Sequence, residues 1–258
     1  MEAGLMVHTH PTLLPLGKHS VKSLQDTTVP ISEQFGPTIQ GEGPYMGRAV
    51  QFLRTGGCNL SCSWCDTPYT WDGSRYNLRE EIKPKSAKQI VDDLLYGIPV
   101  VVSGGEPLLH QENPGMGYVL AGARRKSAMV HVETNGTIYP NKLWRDQVAV
   151  FGVSPKMSHA GEHRGNQNPT MHPDWVKLAE KRQAFLKVVV RNAEDTYQTI
   201  RWAHDIGWPP ELTWVMPIGT TTEELLAKWS EISSAAAEGG INASQRLHVL
   251  AWGDCKGT

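Results

Sequence analysis

Ala49-Val-Gln-Phe-Leu-Arg54-Thr-Gly-Gly-Cys58-Asn-Leu-Ser-Cys62-Ser-Trp-Cys65-Asp66 decides how this chain reads. Its first six residues form a short, largely apolar run of strand character, and the glycines punctuate its end. Three thiols then follow in the spacing C-x3-C-x2-C, directly beyond that strand. Three readings compete for them. A structural zinc site needs four ligands, usually as two CxxC-like pairs or with a nearby His pair. Here there is one such pair, and no His lies between His19 and His110. A redox pair would use Cys62 and Cys65 and leave Cys58 unexplained. A [4Fe–4S] cluster held by Cys58, Cys62 and Cys65 uses all three. Such clusters normally take four Cys, so three leave one iron open to a non-protein ligand. The fourth cysteine, Cys255, lies in the terminal tail and reads as an inert or surface thiol.

Working outward, the chain has 258 residues, with 25 Lys+Arg against 26 Asp+Glu and a net charge of −1. That balance provides no excess basic field for gripping nucleic acid. Hydrophobic residues make up 40%, enough for a sizeable core, and no apolar run approaches the roughly 18 residues of a membrane span. The expectation is a soluble, cytoplasmic protein. Clustered thiols in a chain this long argue against a disulfide framework and for metal or redox chemistry.

Residues 1–30 carry scattered His, Thr and Pro without a period and read as an extension; residues 31–258 read as one catalytic domain. Strands are expected at 49–54, 99–103, 129–133, 148–153, 184–190, 212–216 and 247–251. Helices lie between them. Ser86-Ala-Lys-Gln89 is a capping box opening a helix through Leu95. Asn192 caps a stretch ending at Gly207, and Thr220-Thr-Thr-Glu223 opens a helix stopping at Gly239-Gly240. Residues 158–173 read as a long loop. Strand–helix–strand alternation predicts parallel pairing, in a barrel or an open sheet.

About forty residues beyond the cysteines, Val100-Val-Val-Ser-Gly104-Gly105-Glu106-Pro107 ends an apolar strand on a glycine pair, where absent side chains let a ligand approach. The two motifs together resemble the radical S-adenosylmethionine (SAM) enzymes. In that superfamily SAM chelates the open iron, and one electron splits it to give a 5′-deoxyadenosyl radical. The closer resemblance, from about Ile31 to Thr258, is to the 7-carboxy-7-deazaguanine synthase family. It is carried by Glu33-Gln-Phe-Gly-Pro-Thr-Ile39-Gln40-Gly41-Glu42-Gly43, Ser63-Trp64-Cys65-Asp66-Thr67, Thr70-Trp71-Asp72, Glu133-Thr-Asn-Gly-Thr137, Ser154-Pro155-Lys156, Leu186-Lys187-Val188 and His248-Val-Leu-Ala-Trp252-Gly253.

This resemblance implies a partial, open (β/α) barrel of the radical SAM type. It implies contraction of 6-carboxy-5,6,7,8-tetrahydropterin to 7-carboxy-7-deazaguanine with loss of ammonia, by a carbon–nitrogen lyase. The catalytic candidates are Glu42, Arg54, Glu133 and His248. Substrate would meet Ile39, Gln40, Gly41, Arg54, Ser103 and Thr258, with the Arg54 guanidinium gripping the carboxylate. SAM would meet Trp64, Cys65, Asp66, Gly104, Gly105, Glu106, Ser154, Pro155 and Lys156, and Thr67 would ligate Mg²⁺. The expected partners are the small carboxypterin and an electron donor such as flavodoxin, with the protein a homodimer and neither nucleic acid nor membrane involved. Two rivals remain: a radical SAM activase acting on a protein, and a metal-binding module without catalysis. Met216-Pro217 departs from the Gln-Pro expected of the family at that strand end.

Overall fold

The computed structural model describes residues 20–127, 129–163 and 170–258. Most of the segment read as an extension, residues 1–19, lies outside them, as do residues 164–169 of the long loop. Residues 21–30 belong to the body: α1 (Val21–Asp26) buries Leu24 and leads into β1 (Thr28–Ile39).

The described strands are β1, β2 (Ala49–Thr55), β3 (Lys83–Ser86), β4 (Val100–Gly104), β5 (Val130–Thr134), β6 (Val150–Val153), β7 (Ala184–Val190), β8 (Thr213–Pro217) and β9 (Asn242–Ala243). They form one sheet in the order β3-β1-β2-β4-β5-β6-β7-β8-β9 that does not close on itself. From β2 to β9 every pairing is parallel, and only β1 pairs antiparallel with its neighbours β2 and β3. The expected partial, open barrel is therefore what forms. Sequence patterning missed β1, β3 and β9, because their residues alternate weakly or are too few to show a period.

Helices α2 (Leu78–Glu81), α3 (Ala87–Asp92), α4 (Pro114–Ser127), α5 (Lys142–Gln147), α6 (Trp175–Glu180), α7 (Ala193–Asp205), α8 (Thr222–Glu238) and α9 (Leu247–Trp252) complete the chain. The caps follow the sequence closely. Ser86 accepts from Gln89 N at the start of α3, though that helix stops at Asp92, short of Leu95. Asn192 accepts from Asp195 N to open α7, and Gly207 follows at φ 74°. Thr221, one residue later than expected, accepts from Glu224 N to open α8.

Period-two alternation decides which side chains face the cavity. Leu53, Val102, Val132, Phe151, Val153, Leu186, Val188 and Val215 point to the helices and form the main core. Phe52, Arg54, Ser103, Glu133, Ser154, Lys187, Val189 and Met216 face a cavity on the other side. At its floor, Tyr45 packs on His131 and Phe185, with ring centroids 5.5 Å and 6.1 Å away.

One expected strand is a helix. Residues 247–251 lie in α9, not in a final barrel strand. The β8 edge is taken by the two-residue β9, and the apolar run that follows adds no further strand to the sheet. It coils instead, and Leu247 N donates to Gly41 O at 2.8 Å, docking the segment on the turn after β1.

Removing the α7 cap by Asn192→Ala should cost about 1 kcal/mol. Thermal unfolding should show a midpoint lowered by about 2–4 °C with bound iron unchanged; an unaltered midpoint would refute the cap's contribution.

Candidate active site

The cavity, about 710 Å³, opens at the carboxyl ends of the parallel strands, where barrel-type sites are built. One wall is the cysteine loop, and the glycine pair seats it. A Cβ on Gly105 would stand 2.1 Å from Gly57 O, and one on Gly104 would stand 2.4 Å from Thr55 O. Glu106 N donates to Gly57 O at 2.8 Å, and Gly105 N donates to Thr55 O at 3.1 Å. Both glycines line the cavity, yet the closest approach they permit is to the protein's own loop.

Cys58, Cys62 and Cys65 are free thiols lining this wall. Leu60 N donates to Cys58 Sγ at 3.4 Å, and Trp71 Nε1 donates to Cys65 Sγ at 3.3 Å. Burial, then the charges of Glu106, Cys65 and Cys62, pushes the Cys58 thiol up to about 12, against the opposing Leu60 N–H. Three thiols on one wall, two of them, Cys58 and Cys62, pushed up by burial, with N–H groups aimed at Cys58 and Cys65, suit a polynuclear iron centre whose charge would deprotonate them. Among the described residues no three His, Cys, Asp or Glu converge on a point as single-ion ligands would. Cys255 is exposed at the cavity's edge, with Sγ donating to Trp252 O. Thr67 lines the same wall, with Oγ1 3.7 Å from Cys65 Sγ.

The SAM-side candidates divide. Trp64, Asp66, Ser154 and Lys156 line the cavity. Lys156 Nζ lies 5.5 Å from the Trp64 ring and donates to Ser154 Oγ at 2.9 Å. Pro155 instead lines a separate cavity of about 270 Å³ beside Met157 and Trp202. Glu106 is fully buried away from the main cavity. Its carboxylate accepts from Thr134 Oγ1, Asn135 N and Leu108 N, and burial raises it to about 7. The structure thus gives Glu106 the work of holding the Thr134–Asn135 turn, which does line the cavity.

A largely buried charge network also lines the cavity and reaches the cysteine loop at Asp66. Lys187 Nζ bridges Glu42 Oε2 at 2.6 Å and Glu133 Oε1 at 2.9 Å. Arg246 Nε donates to Glu42 Oε1 at 2.9 Å, and its Nη2 pairs with Asp66. Gln40 Nε2 and Ser103 Oγ also donate to Glu133, at 3.2 Å and 3.1 Å. Burial, the largest single influence, pushes both glutamates up, but the surrounding cations together outweigh it, Lys187 first and at Glu42 also Arg246, holding Glu133 down to about 2 and Glu42 well below the carboxylate range. Sequence reasoning missed Lys187 and Arg246 as site residues. A lysine inside the otherwise apolar run Ala184–Val190 was a readable anomaly, whereas Arg246 carried no local signal.

Arg54 Nε donates to Glu33 Oε2 at 2.7 Å, and Tyr69 Oη donates to the same oxygen at 2.6 Å. Ile39, Gln40 and Gly41 line the cavity beside them. Gly41 has no room for a side chain, since its Cβ would fall 1.9 Å from His248 Nδ1. Although α9 is no strand, the tail does reach the cavity: residues 254–258, including Thr258, line it.

Residues 52–155 match the Radical SAM superfamily. The chain is 34% identical over 223 residues to the 7-carboxy-7-deazaguanine synthase of Pyrobaculum aerophilum, covering 85% of this chain and 93% of that protein. It is 30% identical over 251 residues to the 7-carboxy-7-deazaguanine synthase of Bacillus subtilis, covering 89% and 98%. The crystal structure of QueE from Escherichia coli superposes with a TM-score of 0.61 at 21% identity, covering 89% of this chain and all of that one.

Replacing Cys58, Cys62 or Cys65 by Ala should abolish iron and sulfide binding and the visible absorbance band after anaerobic reconstitution. Cys255→Ala should leave them nearly intact. Cluster loss in the Cys255 variant would overturn the three-thiol assignment.

Proposed function

The chain belongs to the 7-carboxy-7-deazaguanine synthase family of radical SAM enzymes, and from that membership we propose how its cavity contracts a pterin ring. The family's chemistry requires a [4Fe–4S] cluster and SAM, which together supply hydrogen-atom abstraction. Cys58, Cys62 and Cys65 would hold that cluster. The substrate is 6-carboxy-5,6,7,8-tetrahydropterin and the product 7-carboxy-7-deazaguanine, in queuosine-type biosynthesis. Release of ammonia breaks a carbon–nitrogen bond, so we class the enzyme as a carbon–nitrogen lyase.

The observation that carries the reading is that the cysteine loop, Arg54 and the Glu42–Glu133 pair line one cavity. A carboxypterin has a carboxylate at one end and a row of N–H donors at the other. Arg54 supplies a cation for the first: only its Nε is held, by Glu33, and among the described residues its Nη groups make no hydrogen bond. Glu42, Glu133 and the backbone of residues 39–41 supply acceptors for the second. His248 lines the same cavity against Gly41, its imidazole biased to the neutral form by burial. Trp64, Ser154 and Lys156 then suit the SAM side, and Thr67 offers a hard oxygen for Mg²⁺. Among the described residues no helix is long and apolar enough to cross a membrane. A cytoplasmic location, a homodimer and a flavodoxin-type donor are further expectations that rest on the family alone.

The direct test is anaerobic incubation of reconstituted protein with SAM, reductant, Mg²⁺ and the carboxypterin, followed by mass analysis. A product lighter by ammonia is expected; SAM cleavage without that product would refute the substrate assignment.

Arg54→Lys should raise KM for the carboxypterin roughly tenfold with a smaller change in kcat, because an ammonium cannot reproduce a planar two-point grip. Unchanged kinetics would place the carboxylate elsewhere. Deleting residues 254–258 should cut product formation far more than SAM affinity, and a fully active truncated enzyme would return the tail to solvent.

A further inference from the structure

Strand β7 is buried at every position, and Lys187 is its one charged residue. Its side chain is 5% exposed, and its Nζ sits between two carboxylates from different parts of the chain. Glu42 comes from the turn after β1, and Glu133 from the end of β5. Arg246 also grips Glu42, but among the described residues Lys187 is the only cation in contact with Glu133. Both carboxylates line the cavity, and so does Lys187, which is itself buried.

We propose that Lys187 is a positioning residue that fixes Glu42 and Glu133 as a pair of ionised, acceptor-only groups for the N–H edge of the pterin. This rests on the carboxypterin reading above. An ionised carboxylate only accepts, whereas a protonated one turns an O–H toward the ligand. The pterin edge carries donors, so one proton on this pair would set donor against donor.

The groups facing the pair are Lys187 from β7, Arg246 and His248 from the C-terminal segment, His131 on β5, Arg54 on β2 and Asp66 on the cysteine loop. Arg54 is already paired with Glu33, and Arg246 is shared with Asp66. Burial holds His131 down at about 4, so it adds no charge at neutral pH. Without Lys187, Glu133 would keep no cation in direct contact among the described residues, and Arg246, with Arg54 already paired to Glu33, would remain to offset Glu42, Glu133 and Asp66. Burial would then draw a proton onto the pair, since like charges this close do not both ionise.

The sign follows. A carboxyl raised by burial is protonated below its new pKa and ionised above it. Pterin binding to a Lys187→Met enzyme should therefore weaken as pH falls and recover as it rises.

Two readouts on reconstituted protein separate this proposal from the substrate reading. The first needs no pterin: infrared titration of buried carboxyl groups. Lys187→Met should gain protonated-carboxyl absorbance at neutral pH over the wild-type signal, to which Glu106 contributes; the gain should be missing from Lys187→Arg and lost again in Glu133→Gln/Lys187→Met. No such gain in Lys187→Met would overturn the proposal. The second is calorimetric affinity for the carboxypterin with SAM bound. At pH 7 Lys187→Met should bind roughly tenfold more weakly, recovering toward pH 9, with SAM affinity unchanged. A loss independent of pH and shared by Lys187→Arg would overturn the proposal in favour of simple packing. If wild type binds no carboxypterin, the substrate reading fails and the titration still decides the role of Lys187. Should Lys187→Met fail to fold, the double variant, relieved of one carboxylate, is expected to fold and load its cluster; its failure too would overturn the proposal.

Discussion

A lysine and an arginine buried against three carboxylates bind the parts of this molecule to one another. Lys187 joins β7 to β5 and to the turn after β1; Arg246 joins that turn to the cysteine loop and the C-terminal segment. The sheet is open, so no ladder of backbone hydrogen bonds closes the ring. Side-chain charge does that work across the cavity. Such an arrangement is a poor source of net stability, because desolvating each ion costs several kcal/mol. Removing one partner is worse, about 3–5 kcal/mol, since it strands a buried charge. The network therefore makes the site's geometry all-or-none: either every member is in place or the cavity wall is under electrostatic strain.

The same economy of space governs the cysteine wall. A glycine pair at a strand end suggests from sequence a place where a ligand meets backbone. In the fold the neighbour is Gly57, whose carbonyl would meet a Cβ on Gly105. The pair thus places the thiols first and offers cavity surface second. Glu106, which stands beside the pair in sequence, turns its carboxylate inward to hold Asn135 and Thr134. Adjacent residues of one motif so serve two different faces of the same strand end.

How much of this was legible follows from what a one-dimensional pattern can carry. The parallel strands from β2 to β8 announced themselves as apolar runs because helices cover one face and the cavity the other. Local caps were equally plain, since Ser86 and Asn192 bond to residues three positions away. The cysteine spacing was legible because the three ligands share one loop. The run at 247–251 misled because five residues, four of them apolar, look alike in a strand and a helix, and the occupied β8 edge is a fact of three dimensions. Arg246 was invisible for a related reason: its partners Glu42 and Asp66 lie 204 and 180 residues away.

Those long separations also divide the cavity into a fixed part and a movable one. Floor and inner wall are strand residues, buried charges and the Tyr45–His131–Phe185 packing, none of which can shift without breaking several contacts together. The rim differs. The tail is held by Lys256, 2.6 Å from Glu81 and 3.9 Å above the Tyr69 ring, with the lysine side chain half exposed. An ion pair so placed contributes little, about 0–1 kcal/mol. Tyr69 in turn bonds Glu33, the partner of Arg54, so the weakest tether of the cavity is linked to the residue assigned to the substrate's carboxylate. Loss of that tether would disturb Thr258 in the tail and the Arg54 side of the cavity, whereas displacing β5 or β7 would break the charge network itself.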